Sequence, residues 1–173
     1  GGFTDAATAG QIDESALKTW KYNEGGYPVF GTTTEPGPTG EGTKENPYKI
    51  ETADDFIAFA AEVNNGTTFG GMYFEQTADL DFTGKTFNGM SEGGIFSGVY
   101  DGSGYVLKNL AVDATASGGI FGTLTGIVMN LGFEGTYNST TIAATIRNIH
   151  SGGVLINCYS LLSITTGAGQ TNG

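Results

Sequence analysis

The chain has 173 residues, a length that fits one domain of ordinary size with a substantial core. Its 18 acidic and 7 basic residues leave a formal net charge of −11, which disfavours nucleic acid and anionic membrane surfaces as partners. Thirty glycines without a strict every-third repeat exclude collagen, and 11 Phe with 8 Tyr exclude a disordered chain. No apolar run approaches the length of a membrane span, so no membrane insertion of this segment is expected.

The composition changes twice along the first third of the chain. Residues 1–30 form a leading segment that ends in aromatic residues around a Gly-Gly turn. Residues 31–42 contain prolines, glycines and threonines without large apolar side chains, which is typical of a linker. We therefore predict a separate module over residues 43–173.

One helix is predicted near the start of this module. Thr52 and Asp55 have the spacing of a capping box, and an acidic first turn suits the helix dipole. Apolar residues then recur on one helical face: Phe56, Phe59, Ala60 and Val63. We expect a helix over about 52–64 that caps the end of the strands that follow.

Residues 93–160 contain degenerate glycine-rich repeats. The rounds share an evenly spaced apolar position and a later asparagine: Phe96, Phe121 and Ile146, then Asn109, Asn130 and Asn157. A period in the low-to-mid twenties matches one coil of a solenoid. The pattern predicts an all-β fold, a right-handed parallel β-helix (β-solenoid) of few coils. Its apolar residues would stack inside, and its asparagines would form a ladder of amides.

Several short phrases of this module resemble the GLUG repeat of bacterial surface proteins. Residues 119–122 and 126–131 are similar to its signature, with Ile120 in place of the usual Leu, and residues 154–160 resemble its Asn-Cys-Tyr ending. The resemblance covers about residues 43–165 and implies a right-handed β-helix in a large, secreted, often wall-attached protein. Residues 20–30 look like the closing strand of a preceding module, which predicts a longer array.

Three aspartates are the candidate groups for metal binding or catalysis. Asp79 and Asp81 flank Leu80, so both should point away from the core, and Asp101 lies in a later turn. Carboxylates suit Ca²⁺, and paired carboxylates serve glycoside hydrolases. The repeats supply few basic residues for a β-helix lyase: Lys85, Lys108 and Arg147. Because aspartates also suit turns, we expect no catalysis and no obligatory cofactor, and leave calcium open at these three residues.

Some other side chains could contribute to a site. An aromatic platform for carbohydrate could be formed by tyrosines: Tyr100, Tyr105, Tyr137 and Tyr159. Tyrosines on solenoid faces are equally often packing residues, so this reading stays open. His150 and Cys158, the single residues of their types, are expected to be structural, since a nucleophilic pair needs a third orienting group.

The sequence therefore predicts a non-catalytic module of a secreted bacterial protein at the cell surface or wall. It would act in adhesion or as a structural spacer, with a host or bacterial surface glycan or protein as its partner. The alternative is a carbohydrate-active β-helix enzyme, a polysaccharide lyase or glycoside hydrolase, or a glycan-binding module. Turnover on pectins or host glycans would distinguish the enzyme from the module.

Overall fold

A computed structural model describes residues 20–22, 28–30, 38–114, 118–141 and 143–166. The chain divides into two compact units, Gly1–Gly37 and Pro38–Gly173. This boundary falls inside the range 31–42 that the composition predicts as a linker. In the first unit, β1 (Trp20–Tyr22) and β2 (Pro28–Phe30) pair antiparallel. The remaining predictions for residues 1–37, and those for residues 167–173, lie outside the described residues.

The second unit begins with β3 (Tyr48–Ile50) and the helix α1 (Ala53–Asn64). The predicted capping box is confirmed. The Asp55 amide donates to Thr52 Oγ1, while the Asp55 carboxylate accepts from the Thr52 amide. The predicted apolar face is also confirmed, because Phe56, Phe59 and Val63 are completely buried. Within the described residues, no helix combines the length and apolarity needed to cross a membrane.

Short strands make up most of the remaining chain, as expected for a glycine-rich β protein. Their bounds are β4 (Tyr73–Gln76), β5 (Leu80–Asp81), β6 (Met90–Ser91), β7 (Ile95–Phe96), β8 (Val99–Asp101), β9 (Val106–Ala114), β10 (Gly118–Leu124), β11 (Ile127–Met129), β12 (Gly132–Ser139), β13 (Ala143–Ile149), β14 (Val154–Ile156) and β15 (Tyr159–Thr166). The described part of the module is therefore mostly β-strand with one helix.

The strands form three sheets in which parallel pairing predominates. Sheet I has the order β14-β11-β8-β4-β3 and sheet II the order β15-β12-β9-β5, and both are wholly parallel. In sheet III, β10 pairs in parallel with β13 and β7 but antiparallel with β6. This antiparallel contact departs from the wholly parallel prediction. It needs glycine at position 118, since a β-carbon there would lie 2.5 Å from the Met90 carbonyl oxygen.

Successive strands of one sheet are separated by about 25 to 28 residues, slightly more than the predicted period. The evenly spaced residues Phe96, Phe121 and Ile146 were predicted to align between strands, and this prediction is wrong for Phe96. Phe121 is opposite Ile146, as predicted, but Phe96 is opposite Leu124. Loops of unequal length shift the register, so equal sequence spacing does not guarantee alignment.

Like residues nevertheless stack along the sheets to form the core. In sheet I, aligned positions hold Tyr48, Phe74, Tyr100 and Val128, all buried. The helix adds Phe56 to this core, and its ring meets Tyr100 edge-on at a centroid distance of 5.8 Å. Each such edge-to-face pair adds about 0.5–1.5 kcal/mol of stability beyond the burial of the two rings. The aromatic residues of the described part of the module are therefore mainly core residues.

Candidate functional site

Asp79 precedes β5 and forms an ion pair with the neighbouring strand β9. Its Oδ2 is 2.6 Å from Lys108 Nζ, and its Oδ1 accepts a hydrogen bond from the Val106 amide at 3.0 Å. The Lys108 hydrogen bond is the main cause that lowers the pKa of the Asp79 carboxyl. Both charged groups are exposed, so the pair contributes little to stability. Asp79 thus links the start of two adjacent strands.

Asp81 closes the turn that follows β5. Its Oδ1 accepts hydrogen bonds from Asn109 Nδ2, Thr83 Oγ1 and the Thr83 amide, at 2.9, 2.7 and 2.9 Å. Because these donors, Asn109 first, stabilise the charged form, the pKa of the Asp81 carboxyl falls to about 2. The side chain between the two aspartates, Leu80, is buried, which confirms that Asp79 and Asp81 face away from the core.

Asp101 is the first rung of a ladder of polar side chains along sheet I. Its Oδ1 accepts from Asn130 Nδ2 at 3.0 Å, and Asn130 Oδ1 accepts from Asn157 Nδ2 at 2.9 Å. Both asparagines adopt left-handed backbone, with φ of 53° and 50°. The predicted amide ladder therefore holds for two of its three members.

Asn109 is the exception, because it lies inside β9 rather than at the end of a strand of sheet I. The pairing of β9 with β12 shifts register between Phe133 and Gly135, opposite this part of β9. Asn109 has a φ of 57°, and its amide donates to Asp81 rather than to another asparagine. A bulge of this kind inserts an extra residue into one strand, and sequence spacing alone gave no sign of it.

The three aspartates predicted as calcium candidates therefore enter separate hydrogen-bond sets. Asp79 pairs with Lys108, Asp81 with Asn109 and Thr83, and Asp101 with Asn130 and the amide of Ser103. In the part of the chain that the structure describes, no three His, Cys, Asp or Glu residues converge as metal ligands. Chemically, the aspartates act here as acceptors that close turns and join strands.

The tyrosines predicted as a carbohydrate platform are divided between core and surface. Tyr100 is fully buried, and its hydroxyl donates to Gln76 Oε1 at 3.1 Å. Tyr137 is also fully buried, beside Gly89 and Gly118. Burial raises the pKa of both phenols. Neither ring offers a face to a ligand, which corrects the prediction for these two residues. Tyr105 is 37% exposed and remains available.

A surface cluster on the outer face of sheet II was only partly visible in the sequence. We call it the outer-face cluster, and its members are Asp79, Lys108, Glu134 and Tyr159. Tyr159 is 46% exposed, and its hydroxyl donates to Glu134 Oε1 at 3.0 Å. Its ring lies against Gly132, where a β-carbon would come within 2.6 Å of the ring. Glu134 and Tyr159 both raise the pKa of Lys108, after the larger effect of Asp79.

This cluster combines an exposed ring with two carboxylates and one ammonium group. An aromatic face with polar groups around it can stack on a sugar ring and hydrogen-bond its hydroxyls. Tyr159 was recognisable as a candidate from its residue type. Glu134 was not, because its proximity depends on the parallel register that places Gly132 opposite Tyr159.

Cys158 does not have the environment of a nucleophile. It is half-buried, and burial is the main cause that raises the pKa of its thiol. A reactive cysteine requires a lowered pKa, since the thiolate is the attacking species. His150 is exposed and follows β13.

A surface cavity of about 400 Å³ lies at the ends of β9, β12 and β15. It is lined by residues at the ends of three neighbouring strands: Asp113, Ala114, Asn138, Ser139, Thr140, Thr165 and Thr166. Asn138 Nδ2 donates to Asp113 Oδ1 at 2.9 Å, a third polar bridge between adjacent strands. None of the predicted site residues lines this cavity.

The chain is similar to parts of two much longer proteins. It is 28% identical over 190 residues to Halomucin of Haloquadratum walsbyi, a match that covers 90% of this chain and 2% of that protein. It is 32% identical over 111 residues to a protein of Evansella cellulosilytica named as a Gly-rich membrane protein, covering 57% of this chain and 12% of that protein. No family model matches the chain, and no solved structure matches it significantly. The chain therefore spans only a small fraction of the length of these relatives.

Proposed function

We propose that residues 38–166 are a right-handed parallel β-helix module of the GLUG kind, which serves a secreted or cell-surface bacterial protein in adhesion or as a structural spacer. The observation that carries this proposal is that each of the three sheets contains parallel pairs between strands about 25 to 28 residues apart in the chain. Val154 is opposite Ile127, which is opposite Val99. The crossover that joins two parallel strands of one sheet is right-handed in about 98% of cases, and this supports the proposed right-handed coil.

The use of the polar residues supports a structural role rather than catalysis. A hydrolase of the β-helix kind needs two carboxylates free to meet the glycosidic bond. Here Asp81 and Asp101 accept hydrogen bonds that close turns, and Asp79 is paired with Lys108. These contacts organise neighbouring coils, which is the work of a spacer.

The relatives support a place within a longer protein. Both are far longer than the matched region, and the name of one describes a Gly-rich membrane protein. The net charge of −11 suits a soluble extracellular surface. We infer that this module projects from, or lies within, a larger secreted or wall-associated chain.

A glycan array combined with turnover assays on pectins and host glycans tests the proposal. A spacer binds none of the glycans and cleaves none, whereas an adhesion module binds some without turnover. Turnover that Asp79→Ala or Asp81→Ala abolishes would overturn the non-catalytic assignment. A crystal structure would test the coil and its hand directly.

Glycan binding is the second candidate, and the outer-face cluster favours it. If this cluster stacks on a sugar, Tyr159→Ala removes array binding. Tyr73→Ala serves as the matched control, because Tyr73 is a partly exposed tyrosine of β4 in sheet I and lies outside the defined cluster. Binding that survives Tyr159→Ala unchanged would assign the glycan to another surface.

A further inference from the structure

Two triplets of the Asn-x-Ser/Thr kind lie within the described residues. They are Asn65-Gly66-Thr67 and Asn138-Ser139-Thr140. An asparagine followed two residues later by Ser or Thr, with no proline between them, is the acceptor pattern for N-linked glycans in secreted proteins. The pattern is short and common, so the surroundings of each asparagine decide whether a glycan fits there.

Asn65 lies in an open turn directly after α1. The helix ends at Asn64, and Asn65 is its C-cap. Asn65 and Gly66 are both exposed, and a β-carbon added at Gly66 would meet no atom within 4 Å. Among the described residues, no hydrogen bond engages the side-chain amide of Asn65. The nitrogen that would carry a glycan is therefore accessible in the folded chain.

The backbone of this turn is held independently of that side chain. The Gly66 N–H donates to the Val63 carbonyl at 3.1 Å, and the Thr67 N–H donates to the Glu62 carbonyl at 3.0 Å. Gly66 has a φ of 97°, which completes the left-handed closure of a helix C-terminus. A glycan on Asn65 would leave all of these contacts intact.

The hydroxyl of the triplet is also within reach of a partner enzyme. Thr67 is partly exposed, and its Oγ1 donates to Glu62 Oε2 at 3.3 Å. This distance is long for a hydroxyl hydrogen bond. Exchanging it for an acceptor of the enzyme therefore costs little.

Asn138 has the opposite surroundings. It lies within β12, which pairs with β9 on one side and with β15 on the other. Its Nδ2 donates to Asp113 Oδ1 at 2.9 Å, and the next residue, Ser139, is buried. The nitrogen of this second triplet is therefore already used to bridge two strands.

We propose that Asn65 is the acceptor of an N-linked glycan and that Asn138 is not. The inference rests on the proposed secretion of the chain, because this modification belongs to secreted proteins. The donor is an oligosaccharide linked to a lipid diphosphate. Asn65 Nδ2 forms a bond to C1 of the first sugar, the bond from C1 to the diphosphate oxygen breaks, the amide loses one proton, and the lipid diphosphate leaves. The glycan is bulky and solubilising, and it would shield the turn that closes α1.

Secretion of the full chain behind a leader peptide, from a eukaryotic host that modifies Asn-x-Ser/Thr triplets, tests the proposal. Peptide-N-glycosidase removes such a glycan and leaves an aspartate, so mass spectrometry identifies the modified position. We expect conversion at position 65 and an unmodified Asn138. Asn65→Gln and Thr67→Ala should both abolish the glycan, whereas Thr67→Ser should retain it because serine keeps the hydroxyl.

Asn138→Gln is the matched control, and its secreted chain should carry the glycan of the wild type. A secreted wild-type chain without a glycan overturns the proposal, as does a glycan at position 138 or one that survives Asn65→Gln. Because the leader peptide supplies the export, each of these results rejects the acceptor site and leaves the proposed function of the module untouched.

Discussion

At some turns of this protein the backbone conformation favours one residue type, asparagine. Asn130 and Asn157 sit in left-handed backbone directly after a strand of sheet I, where most L-residues are disfavoured. Asparagine tolerates this conformation and also supplies an amide that can bond to the next coil. One residue type thus satisfies both the backbone and the ladder with Asp101.

We expect Asn130→Ala to destabilise the module more than Asn130→Gly. Either change removes two ladder hydrogen bonds, worth about 1 kcal/mol together when partly exposed. Alanine adds roughly 1 kcal/mol for left-handed backbone, which glycine avoids. Urea unfolding should therefore show a free energy of unfolding that is about 2 kcal/mol lower for Asn130→Ala and about 1 kcal/mol lower for Asn130→Gly than for the wild type. Equal stability of the glycine variant and the wild type would show that the ladder contributes nothing.

Acid should destabilise the module through Asp81. Its pKa is about 2 in the folded chain, below the ordinary value of 3.8, so the unfolded state takes up the proton first as the pH falls. The stabilisation is complete above about pH 5 and is lost progressively as the pH falls towards about 1. The melting temperature of Asp81→Asn should therefore fall less steeply than that of the wild type over this range. Parallel curves for the two proteins would contradict the assignment.

The helix α1 is the element whose sequence signals are most local. Its capping box lies within four residues, and its buried face repeats every three or four residues. Both signals are local, which is why α1 could be predicted with nearly its observed bounds. The strands are short, and their partners lie about 25 to 28 residues away, so their register could not be read in the same way.

We expect Thr52→Ala to lower the free energy of unfolding by about 1 kcal/mol, because the Asp55 amide loses its acceptor at the first turn of the helix. Thr52→Ser keeps the hydroxyl and should stay within about 0.5 kcal/mol of the wild type. Guanidinium unfolding measures both. A serine variant as unstable as the alanine variant would mean that the methyl group, rather than the cap, is the important part.

At the scale of the whole molecule, negative charge is the dominant electrostatic property. A chain with a net charge of −11 repels itself in the compact state, and salt reduces this repulsion. The aspartates that could have held calcium are instead engaged separately in turns and between strands. General screening, rather than a specific site, should therefore control the response to ions.

We expect NaCl and CaCl₂ at equal ionic strength to raise the melting temperature by the same amount. A site for Ca²⁺ would add a stabilisation that grows with the logarithm of its concentration. Differential scanning calorimetry with matched salt series makes the comparison. An additional rise in CaCl₂ that Asp79→Asn or Asp101→Asn removes would restore the calcium hypothesis.

Local patterns were sufficient for the capped helix, for the outward orientation of Asp79 and Asp81 and for the β character of the repeats. These features depend on residues within a few positions of one another, and their spacing is visible in the chain. Tertiary structure alone decided that Phe96 meets Leu124, that Tyr100 and Tyr137 are buried, and that Glu134 meets Tyr159. The reason is that unequal loops and a bulge near Gly135 set the register between coils, and register determines which distant side chains meet.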